Sequence, residues 1–298
     1  MNTKESVQTE NGSQIVEKPE SQLKQMWYAL IQNKAAVAGM IIIVFLVFLA
    51  LFANFIMPYD PNYADLSINK QAPSAAHWFG TDEQGRDIFS RVIDGTKISL
   101  SVGVSAVAFA LALGTIFGAV AGYKGGKTDT VIMRFMDIML SIPDILLAIT
   151  FMAALGRGID KAVIAIGIVT IPEYARIVRG SILSIKDSEY VQAAKVIGNN
   201  DFRIIFKHIL PNVLSPIIVR ATLGISTAVL NTAALGFLGL GVQPPAAEWG
   251  DMLGRARVFI FEAPYMLIFP GIAITITVLA FNLLGDGLRD AFDPKARK

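Results

Sequence analysis

Few residues of this chain are spaced for covalent chemistry. Gly122-Tyr-Lys-Gly-Gly-Lys-Thr128 has the glycines, lysine and threonine of a phosphate-cradling loop. Such a loop needs four residues between its first glycine and the Gly-Lys-Thr; here there are three, and the stretch joins two apolar segments rather than a strand and a helix. It reads as a tight turn, so the chain is not expected to hydrolyse ATP. His77 and His208 stand apart from each other and from any acidic cluster of ligand spacing, which argues against a metal site. Cysteine is absent, removing disulfides and a thiol nucleophile. No Ser-His-Asp arrangement is present either. The expected catalytic, cofactor and metal residues are therefore none.

The more informative polar residues lie inside apolar runs. Asp144 falls near the middle of Thr130 to Leu155. A central aspartate is unfavourable by about 2.5–3.5 kcal/mol on insertion scales, so it should face a bundle interior or a watery path. It is a candidate to line a solute path and attract an amino group, with pairing inside the bundle as the alternative. Pro143 before it removes a backbone hydrogen bond and predicts a kink. Asn231 sits in mid-segment and reads as an interhelical hydrogen bonder, or as a second path residue. Arg134 and Asp137, three apart near one edge, read as an ion pair. Gly224, Gly236, Gly239 and Gly241 predict close helix packing.

The elements that position these residues follow from hydropathy. Of 298 residues 53% are hydrophobic and 17% charged, and the mean hydropathy is +0.53. Ala35–Met57, Ile98–Gly122, Ala221–Ala247 and Ala263–Gly285 carry no charge. Each exceeds the roughly 20 apolar residues that cross a bilayer. The segments Thr130–Leu155 and Ala162–Arg179 are less apolar, and their inclusion gives about six spans. The expected fold is an all-α polytopic membrane protein in contact with lipid.

Its organisation is a cytoplasmic tail and interfacial lead-in over 1–34, a first span over 35–57, an extracytoplasmic segment over 58–96, a core over 97–287 and a tail over 288–298. The first span begins too late and runs too long for a cleaved signal peptide. The tail up to about Gln22 has a disorder-prone composition, and Gln25–Asn33 an amphipathic one. With both termini placed in the cytoplasm, Lys and Arg are about twice as numerous in inner as in outer segments. The net charge of +2 is too small to suggest nucleic-acid binding.

The longest inner loop, 180–212, has its own pattern. Ser188 to Ile197 has helical spacing, with Val191, Ala194 and Ile197 on one face. Gly198-Asn199-Asn200 signals a turn. Asp201 is a candidate cap for a second short helix ending at Pro211. Two short helices with small residues at their turn suit insertion into a partner's groove.

These residues resemble a family signature. Gln192-Ala193-Ala194, Gly198, His208 and Leu210-Pro211 are similar to the "EAA" loop of ABC importer permeases, with Gln192 and His208 standing where the family has glutamate and an apolar residue. Phe79-Gly-Thr-Asp-Glu-Gln-Gly-Arg-Asp-Ile-Phe-Ser-Arg91, Gly122-Tyr-Lys-Gly-Gly, Leu235-Gly-Phe-Leu-Gly-Leu-Gly241, Glu248-Trp-Gly250 and Asn282-Leu-Leu-Gly-Asp-Gly-Leu-Arg-Asp290 resemble the dipeptide/oligopeptide/nickel subfamily, specifically its C-type membrane subunit. The resemblance implies the transmembrane domain of a type I importer in the bacterial cytoplasmic membrane. Its implied partners are a homologous second permease, two ATPases that bind ATP and Mg, and an external solute-binding protein. The implied substrate is a di- or oligopeptide, with nickel or a metal chelate as the alternative. The resemblance assigns ATPase coupling to Tyr190, Gln192, Ala193, Ala194, Gly198, Phe202 and Pro211. An ion-coupled secondary transporter is the rival class; it would show repeats and further central carboxylates.

Overall fold

A computed structural model describes residues 22–292. The tail expected before Gln22 lies outside the described residues, as does 293–298. Every extended element described is a helix; Thr81 and Asp87 form an isolated antiparallel bridge.

Helix α1 (Gln22–Gln32) exposes Trp27, Tyr28 and Ile31 and buries Leu30, the two-sided pattern expected of the lead-in. It ends at Asn33, whose side-chain oxygen accepts from the amides of Ala35 (3.0 Å) and Ala36 (3.1 Å) and caps α2 (Lys34–Ile56). Helix α2 is apolar all round and buries only Ala36, Gly39, Leu46 and Ala53. That narrow stripe lies on the last helix, α11 (Tyr265–Phe292), closely enough that a β-carbon on Gly39 would sit 3.0 Å from Leu283 Cβ. Its outward face, with Ile41, Phe45, Leu51 and Phe55, is bare, and hydrocarbon is the solvent that suits it.

Helix α3 (Ile88–Lys124) starts well before the uncharged block from Ile98. Asp87 is the reason: its carboxylate accepts from the Ser90 amide at 2.8 Å and starts the helix outside the apolar run. Helix α3 therefore begins inside the 58–96 segment, ahead of the uncharged block it continues into. The segment Thr130–Leu155 is not one helix. It is α4 (Gly126–Leu140) and α5 (Asp144–Leu155), bent by 93° at Ser141-Ile142-Pro143. The predicted kink is a full break, because Pro143 supplies no N–H and disfavours helix at the residue before it.

Helix α6 (Ile159–Ile185) is longer than its hydropathy suggested. Gly167 lies against Phe109 and Ala106, Gly114 against Ile171 and Ala175, Gly118 against Ala175 and Val178, and Gly122 against Arg179 and Ile182. Both residue numbers rise together, so α6 runs parallel to α3 and traverses the same depth. Alanine, glycine and β-branched residues line this seam, as close packing between membrane helices requires. Helix α2, α3, the helix closing at Phe237 and α11 are long and apolar enough to cross a bilayer, and the bent α4–α5 pair is so only when its two helices are taken together. Helix α6 carries Lys161, Glu173, Arg176 and Arg179 and is less apolar than these, so the expectation of six spans is met for four or five.

The expected fifth span, Ala221–Ala247, is α9 (Leu214–Phe237). Gly239 ends it with φ +75, and no atom lies within 4 Å of where a β-carbon would stand, so this glycine serves a turn and not helix packing. Gly236 and Gly241 do pack closely, on each other and on the loop beyond. That loop holds a further helix, packed on α9 and α11. Helix α11 continues to Phe292, so residues 288–292, assigned to the tail, are its last turns.

Candidate functional site

The inner loop folds as the paired-helix knob expected of it. Helix α7 (Glu189–Val196) follows Ser188, and Gly198 turns the chain at φ +85, a conformation glycine adopts without strain. Helix α8 (Asp201–Arg203) follows, capped by Asn200 and not Asp201: the Asn200 side chain accepts from Arg203 N at 2.8 Å. It does not stop at Pro211. It continues through a π turn over Ile204–Ile209 and a tight turn over Leu210–Val213 into α9. Pro211 sits in the first turn of that last stretch, where its missing N–H costs nothing.

Val191, Ala194, Ile204, Ile209 and Leu210 form the knob's buried face, packed on Ala119 of α3 and on Val178 and Ile182 of α6. Ile197, expected on that face, lies outside it and is 80% exposed, because the chain has begun to turn by then. The solvent side gathers Tyr190, Gln192, Ala193, Gly198 and Phe202, five of the seven expected coupling residues. Ala194 lies beneath them and Pro211 is exposed but apart. Val196 (88% exposed), Ile197 and Phe206 complete an apolar tip, with the Phe202 and Phe206 rings 4.3 Å apart. Gln192 reaches only the Lys186 carbonyl, at 3.5 Å.

Tyr123, at the inner end of α3, ties this tip to the bundle. Its hydroxyl donates to Asp201 at 3.0 Å, and the Lys195 ammonium lies 5.5 Å from its ring centre. Nearby, two guanidinium nitrogens of Arg179 bond the two carboxylate oxygens of Asp129 (2.5 and 2.6 Å), a fork that fixes α6 to α4. Asp137 pairs with Arg176 of α6 at 2.7 Å, not with Arg134 as spacing suggested, because the neighbouring helix brings the better donor.

Within the membrane, three charges come together. Glu173 of α6 and Arg220 of α9 form an ion pair, and the Asp144 carboxylate is close enough to act electrostatically on Arg220. Asp144 is not mid-helix: it is the first residue of α5, just past the break. Arg220 lines an open cleft of about 510 Å³ between α6, α9 and α11. Asn231 makes no side-chain hydrogen bond among the described residues; the interhelical bond instead joins Ser226 of α9 to Asn282 of α11 at 2.7 Å. Glu173, Arg220 and Tyr123 were given no working role by the sequence. Charges inside or at the edge of two apolar segments were the available signal, but nothing in one sequence pairs positions so far apart.

Residues 114–298 match the family described as "Binding-protein-dependent transport system inner membrane component", and residues 21–73 match the "N-terminal TM domain of oligopeptide transport permease C". The chain belongs to the first of these families. It is a permease. It is 50% identical to a dipeptide transport system permease protein of Alkalihalophilus pseudofirmus, over 92% of this chain and 90% of that one. It is 46% identical to a glutathione transport system permease protein of Pectobacterium atrosepticum (92% and 91%) and 44% identical to a di/tripeptide transport system permease protein of Pseudomonas aeruginosa (93% of each). An inward-facing structure of the MetNI methionine ABC transporter shares the fold, with a TM-score of 0.56 at 20% identity over 68% of this chain and 97% of that one.

The outer signature of this permease is a buried ionic clamp. Asp82 accepts from the Gln84 and Arg86 amides (2.8 and 2.9 Å) and from Arg86 Nε (2.6 Å). Arg91 donates to the Pro61 carbonyl at 2.8 Å and lies 3.6 Å from Asp82. His77, read as isolated, is hydrogen bonded to Asp87 at 2.9 Å, since the loop folds back on the start of α3. Helix α10 (Trp249–Ala256) packs on the other side: Trp249 donates to the Val92 carbonyl at 3.0 Å, and Glu248 accepts from the Gly250 and Asp251 amides, both at 2.8 Å. These residues brace the loops at this end of the bundle through hydrogen bonds and ion pairs within the chain.

Proposed function

We propose that this permease is one of two homologous membrane subunits of an ATP-driven importer of di- or oligopeptides in the bacterial cytoplasmic membrane, with both termini cytoplasmic. Two separate ATPases bind ATP and Mg, and an external solute-binding protein delivers the peptide at the outer loops. The observation that supports it best is the bare apolar tip of the inner loop. Val196, Ile197, Phe202 and Phe206 are exposed outside the bilayer-spanning helices, around the small residues Ala193 and Gly198 that allow close approach. The peptide class rests on the names of the relatives.

Closure of the ATPases on ATP draws the tips of the two permeases together. Helices α3 and α6 follow, because the knob's buried face is packed on both, and the path switches between inward- and outward-facing. Ala193→Trp is expected to lower peptide uptake more than tenfold in the reconstituted complex at unchanged membrane level, since the indole fills the small-residue gap. Uptake equal to wild type would remove the docking role. Uptake that follows the proton gradient at constant ATP would favour the ion-coupled class instead.

A further inference from the structure

The charged group inside the bundle has no role in the proposed coupling. Its depth follows from the α3–α6 register. Glu173 adjoins Tyr174 and Ala175, which lie against Gly114. Gly114 is four residues inward of the midpoint of Ile98–Gly122, or about 6 Å at 1.5 Å per residue. An ion pair this deep is costly to desolvate and is not needed to hold α6 against α9, where Tyr174 already packs on Gly224. The pair is also not sealed: the Arg220 and Glu173 side chains keep 26% and 28% of their surface. Arg220 opens on the cleft of about 510 Å³, whose other walls include Ser215, Val219, Leu223, Ile177 and Arg289. Sites for small solutes span roughly 300–1,000 Å³.

Glu173 holds Arg220 in an ion pair, Asp144 acts on Arg220 electrostatically, and Arg289 adds a second guanidinium to the cleft wall. A guanidinium is the donor that recognises a carboxylate through two parallel hydrogen bonds. A zwitterion fits the set: its carboxylate takes Arg220 from Glu173, and its ammonium takes the carboxylate set free. A zwitterion adds no net charge, and the Glu173–Arg220 pair is exchanged for two pairs with the solute, so neither partner is stranded in the membrane.

We propose that Arg220, with Glu173 and Asp144, is a way-station in the translocation path that reads the free carboxylate of a zwitterionic peptide. This rests on the importer reading above. The test uses the full reconstituted complex with saturating binding protein and compares uptake of a dipeptide with that of the same dipeptide amidated at its C-terminus. Arg220→Gln is expected to lower uptake of the free-acid dipeptide at least tenfold and to lower that of the amide by less than threefold. Equal loss of both, or loss of neither, overturns the site. If Arg220→Gln does not reach the membrane, Arg220→Lys carries the test. A lysine keeps the charge without the planar fork, so the ratio of free-acid to amide uptake should fall at least threefold, and an unchanged ratio overturns the site. A wild-type complex that imports neither peptide defeats the importer reading itself, which is a different outcome from one that imports both while the variants lose them alike.

Discussion

At the residue scale, the burial of single polar groups separates braces from working parts. Glu248 lies in the loop between α9 and α11, outside the spans, and is 1% exposed. Burial pushes its carboxyl up to about 7 from the usual 4.5, against the pull of the two amides it accepts from. A raised carboxyl stabilises the fold most below its unfolded value, and that contribution is lost as pH rises through the folded one. Between pH 4.5 and 7 the loss is on the order of 3 kcal/mol. The wild-type midpoint of thermal unfolding in detergent should fall across this window relative to Glu248→Gln, which cannot ionise. Parallel curves for the two proteins would show that Glu248 is ionised in the fold throughout. Tyr123 is a working part by the same reasoning. Its hydroxyl is the bond between α3 and the knob, and the ring remains in place without it. Tyr123→Phe should keep the complex assembled, reduce uptake several-fold and leave ATP hydrolysis by the complex less affected than uptake. Equal loss of both activities would assign Tyr123 to assembly alone.

At the element scale, the seam between α3 and α6 decides whether the core holds together. A β-carbon on Gly118 would meet the Ala175 carbonyl and come within 2.8 Å of Val178 Cβ, and neither is a flexible tip. Gly118→Val should destabilise the permease by about 1–3 kcal/mol and reduce its membrane level. Gly180→Val is the control, since nothing lies within 4 Å of its β-carbon. If the two variants accumulate equally, the seam is more yielding than its packing implies. This seam also explains what could be read in advance. Uncharged blocks announced α2, α3, α9 and α11 because hydropathy is a local property. Helix α6 was faint because Glu173, Arg176 and Arg179 find their partners on α9 and α4, so their cost vanishes only after folding. The knob was legible from Gly198 and the helical spacing before it, but its cap and its continuation past Pro211 were not. Asn and Asp are equally good caps, and a proline in a first helical turn cannot be told from one that ends a helix. The pairing of Glu173 with Arg220 was invisible for a further reason: it depends on which faces of α6 and α9 meet.

At the scale of the whole molecule, function depends on which side of the membrane each end of the bundle faces. One end of the bundle carries the Asp82, Arg86 and Arg91 clamp and α10, and the other carries the knob. A motor in the cytosol can reach the knob only if Lys and Arg have oriented the chain with both termini inside. The sequence contains no cysteine, so single cysteines report cleanly. Val196, at 88% exposure on the knob, and Phe261, fully exposed beyond α10, mark opposite ends. In intact cells a membrane-impermeant maleimide should label Phe261→Cys and leave Val196→Cys untouched. In inverted vesicles stripped of peripheral subunits the pattern should reverse, and adding the ATPases back should protect Val196→Cys, since a docked tip is covered. Labelling of Val196→Cys from outside would place the knob beyond the reach of any cytosolic nucleotide. Labelling that the ATPases do not suppress would keep the orientation but remove the tip as their docking point.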